Sequence, residues 1–117
     1  NVGAQRATIA GQYLEDNLGD VVNVKLYDTQ DNAYLDLGAG RLDVLLSDKF
    51  PAYDWLKTDA GNGFEFKGAD IDINDEIGIA LRKGSKWRTR LNDALQAIVA
   101  NGTYEKINAK YFPFSIY

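Results

Sequence analysis

The sequence contains no cysteine, no histidine and no methionine. The first two absences argue against a zinc or redox-metal site, whose usual ligands are thiolates and imidazoles. They also argue against a Ser-His or Cys-His nucleophile, leaving carboxylates, Lys or Tyr for any acid–base chemistry. The lack of cysteine does not choose a compartment. An excess of positive charge is missing too: 13 Lys and Arg stand against 17 Asp and Glu, for a net charge of −4. The densest basic cluster, Arg82 to Arg90, is broken by Gly84, Ser85, Trp87 and Thr89. Nucleic acid is therefore not an expected partner. No apolar run approaches the length of a membrane span, and there is no internal repeat or low-complexity tract. An initiator Met and a signal sequence are likewise missing, so a processed or dissected chain is expected.

What remains is an ordinary folding composition. The 117 residues are 45% hydrophobic and 26% charged, which suits one domain with a modest core. Turn residues punctuate the chain regularly. Val2 to Ala4 reads as a strand and Ile9 to Leu18 as a helix, with Ala10, Tyr13, Leu14 and Leu18 on one face. Val21 to Tyr27 alternates like a second strand, and Asp28 or Thr29 can cap a helix over Gln30 to Leu37. Leu42 to Ser47 is an almost continuous apolar run, the pattern of a strand covered on both faces. Lys49 to Lys57 reads as a helix that tolerates Pro51 in its first turn.

The later part is looser. Short strands are expected at Phe64 to Lys67 and Ile77 to Leu81. Ser85 is placed to cap a long helix whose Trp87, Leu91, Leu95 and Ile98 form one buried stripe, and Gly102 closes it. Thr103 begins a last helix, which Pro113 ends. Trp55, Phe64, Phe66 and Trp87 are expected in the core rather than in a ligand cage. The fold class that follows is α/β, with a mainly parallel sheet flanked by helices and C-terminal helices appended.

In a doubly wound sheet the first strand lies between the second and third, and ligands bind outside the carboxyl ends at that reversal. Residues Gln5 to Thr8 and Ser47-Asp48 follow the two strands concerned. Thr8 can cap its helix and leave the Ile9 amide free for an anion, or can simply be a cap. Asp48 can hold an ammonium group or cap the helix after it. Taken together the pair describes a zwitterion site, with helix amides for a carboxylate and Asp48 for an ammonium. Gln5 can line the same crevice or bond the turn, whereas Arg6 belongs on the solvated surface.

The stretch Val2-Gly3-Ala4-Gln5-Arg6-Ala7-Thr8-Ile9 resembles the V-G-x-Q-x-G-T turn of periplasmic amino-acid-binding proteins of ABC transporters. So do Gly40 to Asp48 (GRLDVLLSD), Ile77 to Ser85 (IGIALRKGS) and Ala94 to Phe112 (ALQAIVANGTYEKINAKYF). Within that family the chain is most similar to the lysine/arginine/ornithine and histidine binders. The resemblance implies a three-layer lobe of the type II periplasmic-binding-protein fold. Residues 1–81 would be the second lobe of a two-lobed clamp, and residues 82–117 would return toward an absent first lobe. It also implies that Thr8 with the Ile9 amide holds an amino-acid carboxylate, that Asp48 holds the α-ammonium, and that a membrane permease is the partner. Ala7 departs from the family glycine, and Ile9 stands where a second hydroxyl residue is often found.

The function expected on that basis is periplasmic binding of a basic L-amino acid for an ABC importer, without catalysis, cofactor or metal. One rival is a periplasmic enzyme of the cyclohexadienyl-dehydratase type on the same scaffold. It would need an acid–base group in the crevice with a perturbed pKa, where only Asp48 can be placed. Another rival is the ligand-sensing domain of a receptor, which should continue into a membrane or DNA-binding segment, whereas Tyr111 to Tyr117 reads as a terminus. The apolar stripe of the long helix is expected to fold onto its own sheet, to pair with a second copy of the chain or to meet the first lobe.

Overall fold

The computed structural model describes residues 1–73 and 76–116. They fall into two compact units, Asn1–Asp70 and Ile71–Tyr117. The first unit is an α/β layer structure of β1 (Val2–Gln5), α1 (Ile9–Leu18), β2 (Val24–Tyr27), α2 (Gln30–Gly38), β3 (Val44–Leu45) and α3 (Lys49–Leu56). The strands form one sheet in the order β2-β1-β3. Both pairings are parallel, with Val2 opposite Val24 on one side and Val44 on the other. This is the doubly wound arrangement expected from the alternation of strand and helix.

Local chemistry explains the element boundaries. Thr8, in extended conformation, caps α1 by accepting the Gly11 amide at 3.2 Å. Thr29, rather than Asp28, caps α2 by accepting the Asn32 amide. Val21 and Val22 fall outside β2 because both of their amides close the end of α1 on the Leu18 carbonyl, at 3.0 Å. β3 is shorter than its apolar run, although the Asp43 amide bonds Asn1 O and the Leu46 amide bonds Gly3 O, extending the β1–β3 ladder at each end.

The core lies between sheet and helices. Ala4, Leu14, Ala33 and Leu42 are its buried hydrophobic side chains. A Cβ at Gly3 would meet the Leu42 side chain, which would have to shift to make room for it. β3 is not covered on both faces as its composition suggests, since Val44 is 55% exposed. Tyr27 Oη donates to Asp36 at 2.7 Å, and Arg41 Nε donates to the other Asp36 oxygen at 2.8 Å. These bonds tie β2 to α2 and to the turn before β3.

Several expectations are not met. Phe64 to Lys67 and Ile77 to Leu81 form no strand, because an alternating run becomes a strand only when a neighbouring backbone completes its hydrogen bonds. The aromatics are not core residues either. Trp55 is half-buried and stacks on Tyr34 with ring centroids 4.2 Å apart, while the Phe64 ring tilts against it with centroids 5.3 Å apart. Phe66 and Trp87 are exposed.

The second unit contains α4 (Trp87–Ala100) and α5 (Thr103–Asn108). Gly102 joins them at φ +74°, in the left-handed region that favours glycine. Lys86, not Ser85, is the N-cap of α4, although Ser85 Oγ still accepts the Trp87 amide at 3.3 Å. The expected stripe of α4 is not buried: no described residue of α4 or α5 is. Asn108 holds the segment after α5 back on itself, donating to Phe114 O at 2.7 Å and accepting the Ile116 amide at 3.2 Å.

Candidate functional site

Three loops leave the carboxyl ends of the parallel strands on one edge of the first unit. Thr8 follows β1 and Asp48 follows β3, its immediate neighbour in the sheet. The two sequence-predicted residues are therefore past the same ends of adjacent strands, at the place where chain direction reverses. Ile9 opens α1 directly after Thr8.

The Thr8 hydroxyl hydrogen is committed to the turn. It donates to the Gln5 carbonyl at 2.7 Å and accepts from Gly11 at 3.2 Å. The Gln12 amide bonds the Thr8 carbonyl at 3.0 Å, so the helix ladder begins there. No hydrogen bond is made by the Ile9 and Ala10 amides to any described residue. Those two N–H groups lie at the positive end of α1 and are the donors open to an anion. Thr8 thus shapes the donor set, while the Ile9 amide belongs to it. The isoleucine side chain, 45% exposed, removes nothing from that set.

Ala7 lies in the turn at φ +55°, the one non-glycine with positive φ among the described residues. A left-handed alanine is strained by roughly 1–2 kcal/mol. The turn puts alanine in a backbone conformation that suits glycine.

Asp48 precedes α3, and its side chain makes no capping hydrogen bond. It forms no ion pair or other hydrogen bond with any described residue. A helix cap would aim its oxygen at the first-turn amides, so the capping alternative is not the conformation adopted. The Asp48 backbone, by contrast, is held. Its carbonyl accepts the Ala52 amide and the Ser47 hydroxyl, each at 3.3 Å. Ser47 Oγ in turn accepts Gln30 Nε2 at 3.0 Å. Nothing in the sequence signals this last contact, because it joins the loops on either side of β1.

The remaining polar groups at this edge look elsewhere. Gln5 Nε2 lies 3.5 Å from the Asp28 carbonyl, at the outer limit of a hydrogen bond. Arg6 pairs with Asp28 at 3.0 Å and bonds the Leu26 carbonyl at 3.3 Å, both on its exposed side. Lys49 pairs with Asp70 at 2.6 Å. Among the described residues no cluster of acidic side chains could hold a metal ion, and no helix is long and apolar enough to cross a membrane.

A partner-free carboxylate and free helix amides past adjacent strand ends can receive a small zwitterion. Comparison with known proteins then identifies the lineage. The chain is 39% identical to an L-arginine-binding protein of Pseudomonas aeruginosa, with 98% of this chain aligned to 47% of that protein. This chain is homologous to the periplasmic amino-acid-binding proteins of ABC transporters. The lysine/arginine/ornithine-binding periplasmic protein of Escherichia coli is 40% identical, with 82% of this chain and 39% of that protein aligned. An ABC transporter arginine-binding protein of the same species is 35% identical over 96% of this chain and 47% of its own length. The chain thus spans about half the length of the curated relatives it matches. No protein-family profile matches it.

Proposed function

We propose that this chain is one lobe of a periplasmic solute-binding protein, and that it grips the α-carbon end of a basic L-amino acid. The Ile9 amide, in the turn set by Thr8 and flanked by Gln5, receives the carboxylate. Asp48 receives the α-ammonium. Residues 1–81 form the lobe, and residues 82–117 return toward a complementary lobe that completes the site and selects the ligand side chain. The loaded protein delivers its ligand to the membrane permease of an ABC importer and does not transform it. The relatives' names, all binding proteins for arginine, lysine, ornithine or histidine, support the ligand class.

The observation that carries this reading is the state of Asp48. Its carboxylate has no partner among the described residues, and Asp48 follows the strand next to the one that leads into the open amides of α1. A contact between such a carboxylate and an ammonium is a charge-assisted hydrogen bond worth roughly 1.5–3 kcal/mol. In the protein carrying both lobes, Asp48→Asn is expected to weaken L-arginine binding by about ten- to a hundredfold. Asp43→Asn is the control, since Asp43 lies at the opposite end of β3. Calorimetry giving equal affinities for the two variants removes Asp48 from the site.

A further inference from the structure

We propose that Gln30 is a positioning residue for Asp48, acting through Ser47. The proposal rests on the reading of Asp48 as the ammonium ligand. Gln30 is the first residue of α2, but Thr29 already supplies the cap of that helix. Its side chain is instead spent on a contact between loops. Gln30 Nε2 donates to Ser47 Oγ at 3.0 Å in a half-buried setting, across 17 residues of sequence.

The contact has a direction. Ser47 Oγ, having accepted from Gln30, passes its own hydrogen to the Asp48 carbonyl at 3.3 Å. Hydrogen bonds arranged in such a chain polarise and strengthen one another. The carbonyl they reach also accepts the Ala52 amide at 3.3 Å, so two long hydrogen bonds restrain the Asp48 peptide. The two side-chain torsions of Asp48 separate that restrained backbone from a carboxylate that no described residue engages. A binding group held this way keeps its aim without being neutralised by its support. β2 and β3 flank β1, so the Gln30–Ser47 bond joins the segments that follow the two outer strands.

The experiment is calorimetric titration of the protein carrying both lobes. The probes are L-arginine and 5-guanidinopentanoate, its analogue without the α-ammonium. Gln30→Leu and Ser47→Ala are each expected to weaken L-arginine binding by about three- to tenfold, the scale of one neutral hydrogen bond. Both should leave 5-guanidinopentanoate affinity within about twofold, because that ligand makes no use of Asp48. In an Asp48→Asn background the same substitutions should add no further loss, as coupled residues do not add. If Gln30→Leu fails to fold, Ser47→Ala removes one oxygen and carries the test.

Equal weakening of both probes, or losses that add fully to that of Asp48→Asn, would show that Gln30 serves only the general fold of the edge and overturn the proposal. So would unchanged L-arginine affinity in both variants while Asp48→Asn binds weakly. An Asp48→Asn protein with full affinity fails at the earlier step: the ammonium reading falls, and the positioning role falls with it.

Discussion

The α-carbon of Gly11 faces the carbonyl oxygen of Gln5 so closely that a Cβ at this position would lie 2.7 Å from it. The same oxygen accepts the Thr8 hydroxyl, and the same glycine donates its amide to Thr8. The end of β1, the turn and the first turn of α1 are therefore one packed unit. Gly11→Ala must push the helix off the strand end. It is expected to cost about 1–3 kcal/mol, the usual range for overpacking. Urea unfolding measures it, and a variant as stable as the parent would mean that the turn gives way freely.

Ala7 offers the opposite experiment. Its φ of +55° is cheap for glycine and costly for alanine. Ala7→Gly is expected to raise stability by about 1 kcal/mol, reduced somewhat by the greater freedom of glycine in the unfolded chain. A lower denaturation midpoint in the glycine variant would show that the strain is relieved by other contacts.

Acid should weaken the first unit through Asp36. The Arg41 guanidinium, and after it the Tyr27 hydroxyl, hold this carboxyl below its ordinary value by hydrogen bonding. Asp36 therefore binds its proton less readily in the folded than in the unfolded chain. Its stabilising contribution is complete above the unfolded value of about 3.9, and is lost as pH falls through the lower folded value. Asp36→Asn is expected to flatten the acid limb of a stability–pH curve and to leave its neutral shape alone. An unchanged acid limb would assign that limb to other carboxylates.

The isolated chain is expected to self-associate and to bind weakly. In the second unit Ile77 is 92% exposed, Ile79 61% and Trp87 53%, more apolar surface than a stable monomer usually leaves open. On the proposed two-lobe reading, the chain also lacks the contacts and the exclusion of water that a complementary lobe would supply. Binding of L-arginine no tighter than about millimolar, near −4 kcal/mol, is the expected result. Light scattering should show a mass above that of one chain, reduced toward it by Trp87→Lys. Micromolar binding by a strict monomer would mean that this chain is a receptor by itself.

Elements whose boundaries are local were legible from residues alone. α1 begins at Ile9 because Thr8 reaches its own backbone three residues on, and α2 begins at Gln30 through the same device at Thr29. The alternation of short strands and helices likewise implied the parallel sheet with β1 at its centre, and that order brings Thr8 and Asp48 to one edge. Sequence left two matters open at that edge: whether Asp48 caps its helix, and where the Thr8 hydroxyl points. Only the folded backbone decides them, by leaving the Asp48 carboxylate without a partner among the described residues and giving the Thr8 hydrogen to Gln5. The Gln30–Ser47 bond was equally invisible. A run such as Phe64 to Lys67 carries the side chains of a strand, yet strand formation depends on a neighbouring backbone that no pattern within the run can supply. Helix caps are settled within a few residues of chain, whereas ladders, burial and contacts between loops belong to whichever distant segments the fold brings alongside.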